Sequence, residues 1–444
     1  MKYLAEIAGR LRTGLLLALA LLGSVVSSCH CFDRDDEEIT PKRVLLVYAA
    51  GFNSLSGYLK DNIAELKEGY LPPKNSENVL LLASRLPASY GNYSVPTPTY
   101  LIRLYKDGKG HAVCDTLSVP GLPENAVMST KSTLSKILGH IADTWPDCSY
   151  GIVFSSHGTG WLPAGYYADP GHYDPDWNSG GDIFDAPVPR RYESPLPEGA
   201  VPYVEWPSDP DSPAVRSLGQ DVAGSMSFEL SLKDIREALP FHLDYLLLDA
   251  CLMGGVEVAY ELREKVDLIG FSQTEVLAEG FNYREMAGTL LQTDGKGPLG
   301  VCSDYYARYE VQTGSHNSAT ISLVDCRRME SLAKVCRELF EKYRTAILAV
   351  NPASVQRYYR YERHWFYDLK DILVQAGISA EEETRLDSAL AECILYLAAT
   401  PNFLSIPIER FSGLSMFLPA DGSAYIKNFY RENIDWNTAT ALVQ

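Results

Sequence analysis

Gly151-Ile-Val-Phe-Ser-Ser-His157-Gly158 and Tyr245-Leu-Leu-Leu-Asp249-Ala-Cys251-Leu-Met-Gly254 share one construction: a short unbroken apolar run leading to a reactive side chain, with glycine close behind. A run of this length with no polar alternation reads as a strand buried on both faces, the kind that fills a parallel sheet covered by helices. Similar runs occupy Arg43-Val-Leu-Leu-Val-Tyr48, Asn78-Val-Leu-Leu-Leu-Ala83, 99–105 and Ala319-Thr-Ile-Ser-Leu-Val324. Helical patterns at 56–68, 129–145 and 231–239 fall between them. Alternation of this kind predicts an α/β fold with a largely parallel central sheet. The segment 106–113, with Asp107-Gly108 at its turn, predicts a hairpin at one edge.

Elsewhere the pattern changes. Residues 163–216 carry eleven prolines with many carboxylates, which excludes regular core and predicts a long exposed insertion. Helical periodicity at 328–349 and 380–399, then a strand-like run at 413–418, marks 330–444 as a mainly helical C-terminal region with a late strand. The main domain spans 42–329.

The N-terminus predicts export. Lys2, Arg10 and Arg12 precede an apolar run, 14–26, that ends in Ser27-Ser28-Cys29. A membrane-spanning helix needs about 20 apolar residues, so the run reads as a signal peptide over 1–28. Small residues before Cys29 resemble the bacterial lipobox, which makes Cys29 a lipid anchor and 29–41 an acidic tether; multiple acylation gives the stable attachment that one chain does not. The predicted location is the bacterial envelope, and the acidic run 33–38 resembles an outer-surface signal.

The formal net charge is −18 and no basic cluster is present, which argues against nucleic acid and favours cationic partners. Cysteines 114, 148, 251, 302, 326, 336 and 393 stand singly, with neither zinc-ligand spacing nor a disulfide framework.

In open parallel sheets the ligand crevice lies at the carboxyl ends of the strands, so His157 and Cys251 are predicted to face one cleft. A neighbouring imidazole lowers a thiol's pKa and carries a proton to a leaving amine. The N–H groups of Gly158 and Cys251 suit an oxyanion hole. Either residue alone is equally a core thiol or a capping histidine; together they have a reaction to serve.

Ser155-Ser-His157-Gly-Thr-Gly-Trp-Leu162 and Leu248-Asp249-Ala-Cys251-Leu-Met-Gly-Gly-Val-Glu-Val-Ala-Tyr-Glu-Leu262 resemble the clostripain family of cysteine peptidases, and the resemblance runs over roughly 43–324. It implies a three-layer α/β/α caspase-like fold, a dyad of His157 and Cys251 without an obligatory third member, and cleavage after Arg or Lys. It further implies Asp249 and Glu279 as selectivity carboxylates, although relatives often carry Asp where this chain has Glu279. Ser272 and Gln273 would join the substrate-binding loop. Family members are often activated by cleavage after a basic residue between histidine and cysteine; the insertion offers Arg190, Arg191 and Arg216, and Arg216-Ser-Leu-Gly-Gln-Asp221 resembles the family's junction best, which points to the bond between Arg216 and Ser217.

No cofactor is required by this chemistry. Calcium, which some relatives need, could be drawn to the carboxylates 169, 174, 176, 182 and 185, but their spacing fits no EF-hand. Two other functions use the same residues: a surface lipoprotein that binds peptides or glycans without turnover, and a transpeptidase or amidase.

Overall fold

The structure is a computed structural model describing residues 39–444 apart from 52–54, 87, 91–92, 96, 165, 167–200, 203–220, 224–225, 229, 294 and 361–364. The leader, Cys29 and the candidate calcium carboxylates lie outside the described residues. So do Arg216 and Ser217, the two residues of the expected processing bond. Residues Pro41–Gln444 form one compact unit.

Nine strands make the central sheet: β1 (Arg43–Ala50), β2 (Asn78–Arg85), β3 (Tyr100–Lys106), β4 (Ala112–Leu117), β5 (Ser149–Ser155), β6 (Leu243–Asp249), β7 (Val266–Phe271), β8 (Thr320–Asp325) and β9 (Ile394–Ala399). Their order is β9-β8-β7-β6-β5-β1-β2-β3-β4. The five central strands, β2-β1-β5-β6-β7, are mutually parallel. Antiparallel strands flank them on both sides. Four of the apolar runs, β1, β2, β5 and β6, are parallel, as strands buried on both faces beneath helices are, whereas the fully buried run of β8 is antiparallel; β4, at an edge, is mostly exposed.

The helices fall into two packed groups. α1 (Ser56–Glu68), α5 (Tyr283–Leu291) and α6 (Gly297–Glu310) contact one another in sequence. The second group contains α2 (Lys131–Thr144), α3 (Leu232–Ala238), α4 (Val256–Leu262), α7 (Met329–Ile347), α9 (Ala380–Cys393) and α11 (Asp435–Thr440). The strand order runs one way through α1 and the other way through α2, α3 and α4, so right-handed crossovers put the two groups on opposite faces. α3 opens with a capping box in which Ser231 and Asp234 satisfy each other's backbone N–H groups.

Two expectations change in the C-terminal third. The helix expected over 380–399 ends at Cys393, and Ile394-Leu-Tyr-Leu-Ala-Ala399 becomes β9, the sheet's terminal strand. Its aliphatic and aromatic side chains gain more from the edge of β8 than from another helical turn. The strand expected over 413–418 shrinks to Ser415–Met416, paired with Tyr367–Asp368 just before α8 (Leu369–Gln375). The region beyond 330 is therefore no separate body: α7 buries Leu332, Ala333, Cys336, Leu339 and Phe340, and the apolar core runs unbroken from Val44 to Val443. α10 (Ala424–Asn433) and α11 close the chain.

Candidate active site

The geometry starts from one register. β5 and β6 are neighbours, with Ser155 opposite Asp249. His157 and Cys251 each stand two residues beyond that pair, at the carboxyl end of the parallel strands. Gly158 shows how close the two loops come: a Cβ built there would lie 2.3 Å from the Cys251 carbonyl oxygen and 3.0 Å from the Ala250 Cβ. Only glycine lets the histidine loop lie against the Cys251 backbone. Ser156 Oγ donates to Ala50 O at the end of β1, which fastens the histidine loop from its other side.

The cysteine loop is held more tightly. Leu252 adopts φ +60°, a left-handed conformation that side chains resist at a cost of about 1–2 kcal/mol, and its N–H donates to Thr274 O. Gly254 N–H donates to Ser272 O, while Gly254 O accepts from both the N–H and the hydroxyl of Ser415. Such strain persists where surrounding bonds over-determine it, as they do at many active sites.

Cys251 is fully buried, and its Sγ accepts the Val276 N–H at 3.1 Å. His157 is half-buried and borders a cavity of only about 40 Å³, together with Gly158, Ala250, Met253 and Leu232. That volume holds a water or two and no peptide. Cys251 is thus covered, while His157 stands half-buried at the same rim of the sheet.

Asp249 is also fully buried; Tyr283 donates its hydroxyl to Oδ2 at 2.6 Å, and Ser155 Oγ lies at 3.5 Å. Tyr283 opens α5 four residues after half-buried Glu279, so one hydroxyl ties the Glu279 segment to Asp249. Tyr309 of α6 donates to Gly280 O and steadies the same turn.

Ser272 and Gln273 face inward. Ser272 Oγ shares hydrogen bonds with Thr320 Oγ1 and Thr274 O, and Gln273 Nε2 donates to Ser322 Oγ and Gly413 O. Both side chains anchor the loop over Cys251 to β8 and to the C-terminal segment. Glu275 completes the anchor through an ion pair with Arg360, at 3.0 Å. Burial pushes the Glu275 carboxyl up from its ordinary value, and Arg360 opposes that shift.

Three groups went unnoticed in the sequence. Val276, which bonds the Cys251 sulfur, had no signal beyond its place after Ser272. Trp161, inside the histidine motif, packs on Phe417 and Tyr430. Glu257, inside the cysteine motif, is 1% exposed, and its Oε1 accepts both the Phe417 N–H and the Tyr430 hydroxyl. Burial raises its carboxyl to about 7. A glutamate within an otherwise apolar helical turn was the available clue.

Among the described residues no His/Cys/Asp/Glu group could hold a metal ion, no disulfide joins any of the seven described cysteines, and no helix is long and apolar enough to cross a membrane.

The chain matches the Clostripain family profile over residues 47–186 and 205–442. Among solved structures, it resembles an inactive zymogen C11 protease from Parabacteroides distasonis at 24% identity and TM-score 0.67, covering 90% of this chain and 98% of that one. It also resembles a secreted C11 cysteine protease from Bacteroides thetaiotaomicron in complex with an irreversible peptide inhibitor, at 22% identity and TM-score 0.66, covering 90% and 99%. These likenesses give the fold as the caspase-like α/β/α sandwich. No curated protein matches significantly.

Proposed function

The chain belongs to the clostripain family of cysteine peptidases, and from that premise we propose that it is a latent endopeptidase cutting polypeptides after Arg or Lys. Cys251 attacks the scissile carbonyl as thiolate and forms a thioacyl-enzyme; His157 takes the thiol proton and delivers it to the departing amine; water then releases the acid. The observation that carries this reading is the shared register, with His157 and Cys251 each two residues past the pair of Ser155 and Asp249. The backbone approach at Gly158 supports an oxyanion site beside the sulfur.

Selectivity for a cationic side chain rests on Asp249 and Glu279, since carboxylates give a guanidinium or ammonium charge-assisted bonds that a neutral side chain cannot match. Tyr283 already donates to Asp249, so a substrate cation would share that carboxylate or displace the hydroxyl. Covered Cys251 supports latency in the uncut chain, and cleavage between Arg216 and Ser217 is the proposed trigger. Export and a lipid anchor at Cys29 would place the enzyme at the envelope, acting on basic proteins or peptides.

The test is turnover of peptidyl-arginine and peptidyl-lysine reporters by the purified chain before and after cutting of the insertion. Turnover that rises on cutting and is absent in Cys251→Ala supports the proposal. A cut chain that binds peptides yet never turns over is the silent lipoprotein, and one that transfers the acyl group to an added amine in preference to water is a transpeptidase.

A further inference from the structure

A groove far from the dyad has a path to it. It lies between α8, α9 and β9, with a volume of about 560 Å³, within the range of ligand sites. Val374, Leu390, Ile394, Leu397 and Phe411 give it an apolar floor. One wall is β9, the last strand of the sheet, whose outer side meets no described strand. Leu395 and Leu397 on that strand are 47% and 44% exposed, and Val374 of α8 is 38% exposed. Natural edge strands are usually short, charged or covered because their unpaired backbone recruits other chains; an uncharged, leucine-bearing edge is a recruiting surface.

Its charge selects the recruit. Lys370 is gripped by two carboxylates, Glu383 at 3.0 Å and Asp387 at 2.7 Å, and Arg410 pairs with Asp371 at 2.8 Å. Each cation is matched and a carboxylate is left over. The chain's own insertion, 163–216, has ten carboxylates against three arginines, and a second copy carries the same net −18, so both are repelled. A basic extended polypeptide is attracted.

The groove also leads to the catalytic loops. Arg410, Phe411 and Ser412 line it; Gly413 lies over Leu397 and accepts from Gln273; Ser415 donates to Gly254, three residues from Cys251. Antiparallel pairing sets the Ala399 end of β9 beside Thr320, which bonds Ser272, so β9 runs toward the catalytic end of the sheet.

We propose that this groove is an exosite: an extended, basic stretch of a protein substrate adds to the free edge of β9, seats apolar side chains between Val374 and Leu397, and offers its cations to Glu383 and Asp387. Strand addition takes affinity from backbone hydrogen bonds and selectivity from alternate side chains. The inference rests on the peptidase reading, because an exosite exists to deliver substrate.

The experiment compares two substrates on the full, cut chain: a short peptidyl-arginine or peptidyl-lysine reporter that reaches only the dyad, and lysozyme unfolded by reduction and carboxamidomethylation, which is long and basic. Leu397→Lys fills the groove and repels cations; its exposure makes it tolerable to the fold. Its kcat/KM for unfolded lysozyme should fall about tenfold through KM, and that for the reporter should stay within about twofold. Asp387→Asn should give a smaller loss, on the order of threefold, that vanishes in high salt. Equal losses on both substrates, or none on either, overturn the exosite. Should the wild-type chain not turn over the reporter, the peptidase reading is what has failed, and the groove is then read by fluorescence anisotropy of labelled unfolded lysozyme on Cys251→Ala. Binding weakened by Leu397→Lys supports the groove; binding indifferent to it overturns the proposal.

Discussion

The parallel half of the molecule and its C-terminal third do opposite kinds of work. In the parallel half, His157 and Cys251 each stand two residues past the ends of adjacent strands, and the register of those strands sets the two loops side by side. The C-terminal third supplies no residue of the proposed chemistry, yet Ser415 bonds Gly254, Gly413 bonds Gln273, Arg360 pairs with Glu275, and Phe417 and Tyr430 bond Glu257 while packing on Trp161. One half sets where the reacting groups stand, and the other sets how firmly. Proposed catalytic loops on a parallel sheet here are held by segments more than 100 residues downstream, and small misplacements of such groups cost large factors in rate.

The comparison breaks first at Gly158. Alanine there must push against the Cys251 carbonyl, a backbone atom that cannot rotate away. Gly158→Ala should lower kcat/KM on a short reporter by roughly a hundredfold or more with the fold retained, read by steady-state kinetics beside circular dichroism. A loss of only a few-fold means that the loops are not in such close contact.

Glu257 sharpens the contrast at smaller amplitude. Glu257→Ala strands two buried donors, the Phe417 N–H and the Tyr430 hydroxyl, costing about 2–3 kcal/mol of stability and lowering kcat about tenfold while KM holds. Glu257→Gln keeps an accepting oxygen for both and should retain most of the activity. If glutamine fails as badly as alanine in kinetics and thermal unfolding, the clamp needs charge and not merely an acceptor.

An effect of comparable size is in pH. Unfolded, Glu257 titrates near its ordinary 4.5; buried, near 7. Between those values the folded chain holds a proton that the unfolded chain has released, so this group's contribution to stability is full below about pH 4.5 and is lost as pH rises toward 7. The loss is at most roughly 3 kcal/mol. Denaturant unfolding across that range should show a shallower slope in Glu257→Gln than in wild type.

The same contrast explains what the sequence made legible. The strands β1, β2, β5, β6 and β8 were readable because double-sided burial writes them as continuous apolar runs, and the loops after β5 and β6 stood out because a histidine and a cysteine follow two such runs at the same end of the sheet. β9 was not, because Ile394-Leu-Tyr-Leu-Ala-Ala399 follows a helix without a breaking residue, and only the free edge of β8 decides for strand. Ser272 and Gln273 sit in a motif expected to touch substrate, whereas their hydroxyl and amide bond β8 and Gly413; a sequence does not say which way a loop side chain turns. The clamp on Glu257 was hidden for a related reason: its partners stand 160 and 173 residues away.

The central proposal, that the covered Cys251 sulfur pairs with His157 once the insertion is cut, is tested most directly by alkylation. Brief iodoacetamide treatment at neutral pH, followed by mass spectrometry of every cysteine, compares Cys251 with the exposed thiol Cys114 in the same molecule. In the uncut chain Cys251 should react far more slowly than Cys114; after the insertion is cut it should become the faster of the two, and His157→Ala should remove that advantage. A Cys251 that never outpaces Cys114, or does so equally well without His157, would contradict the account.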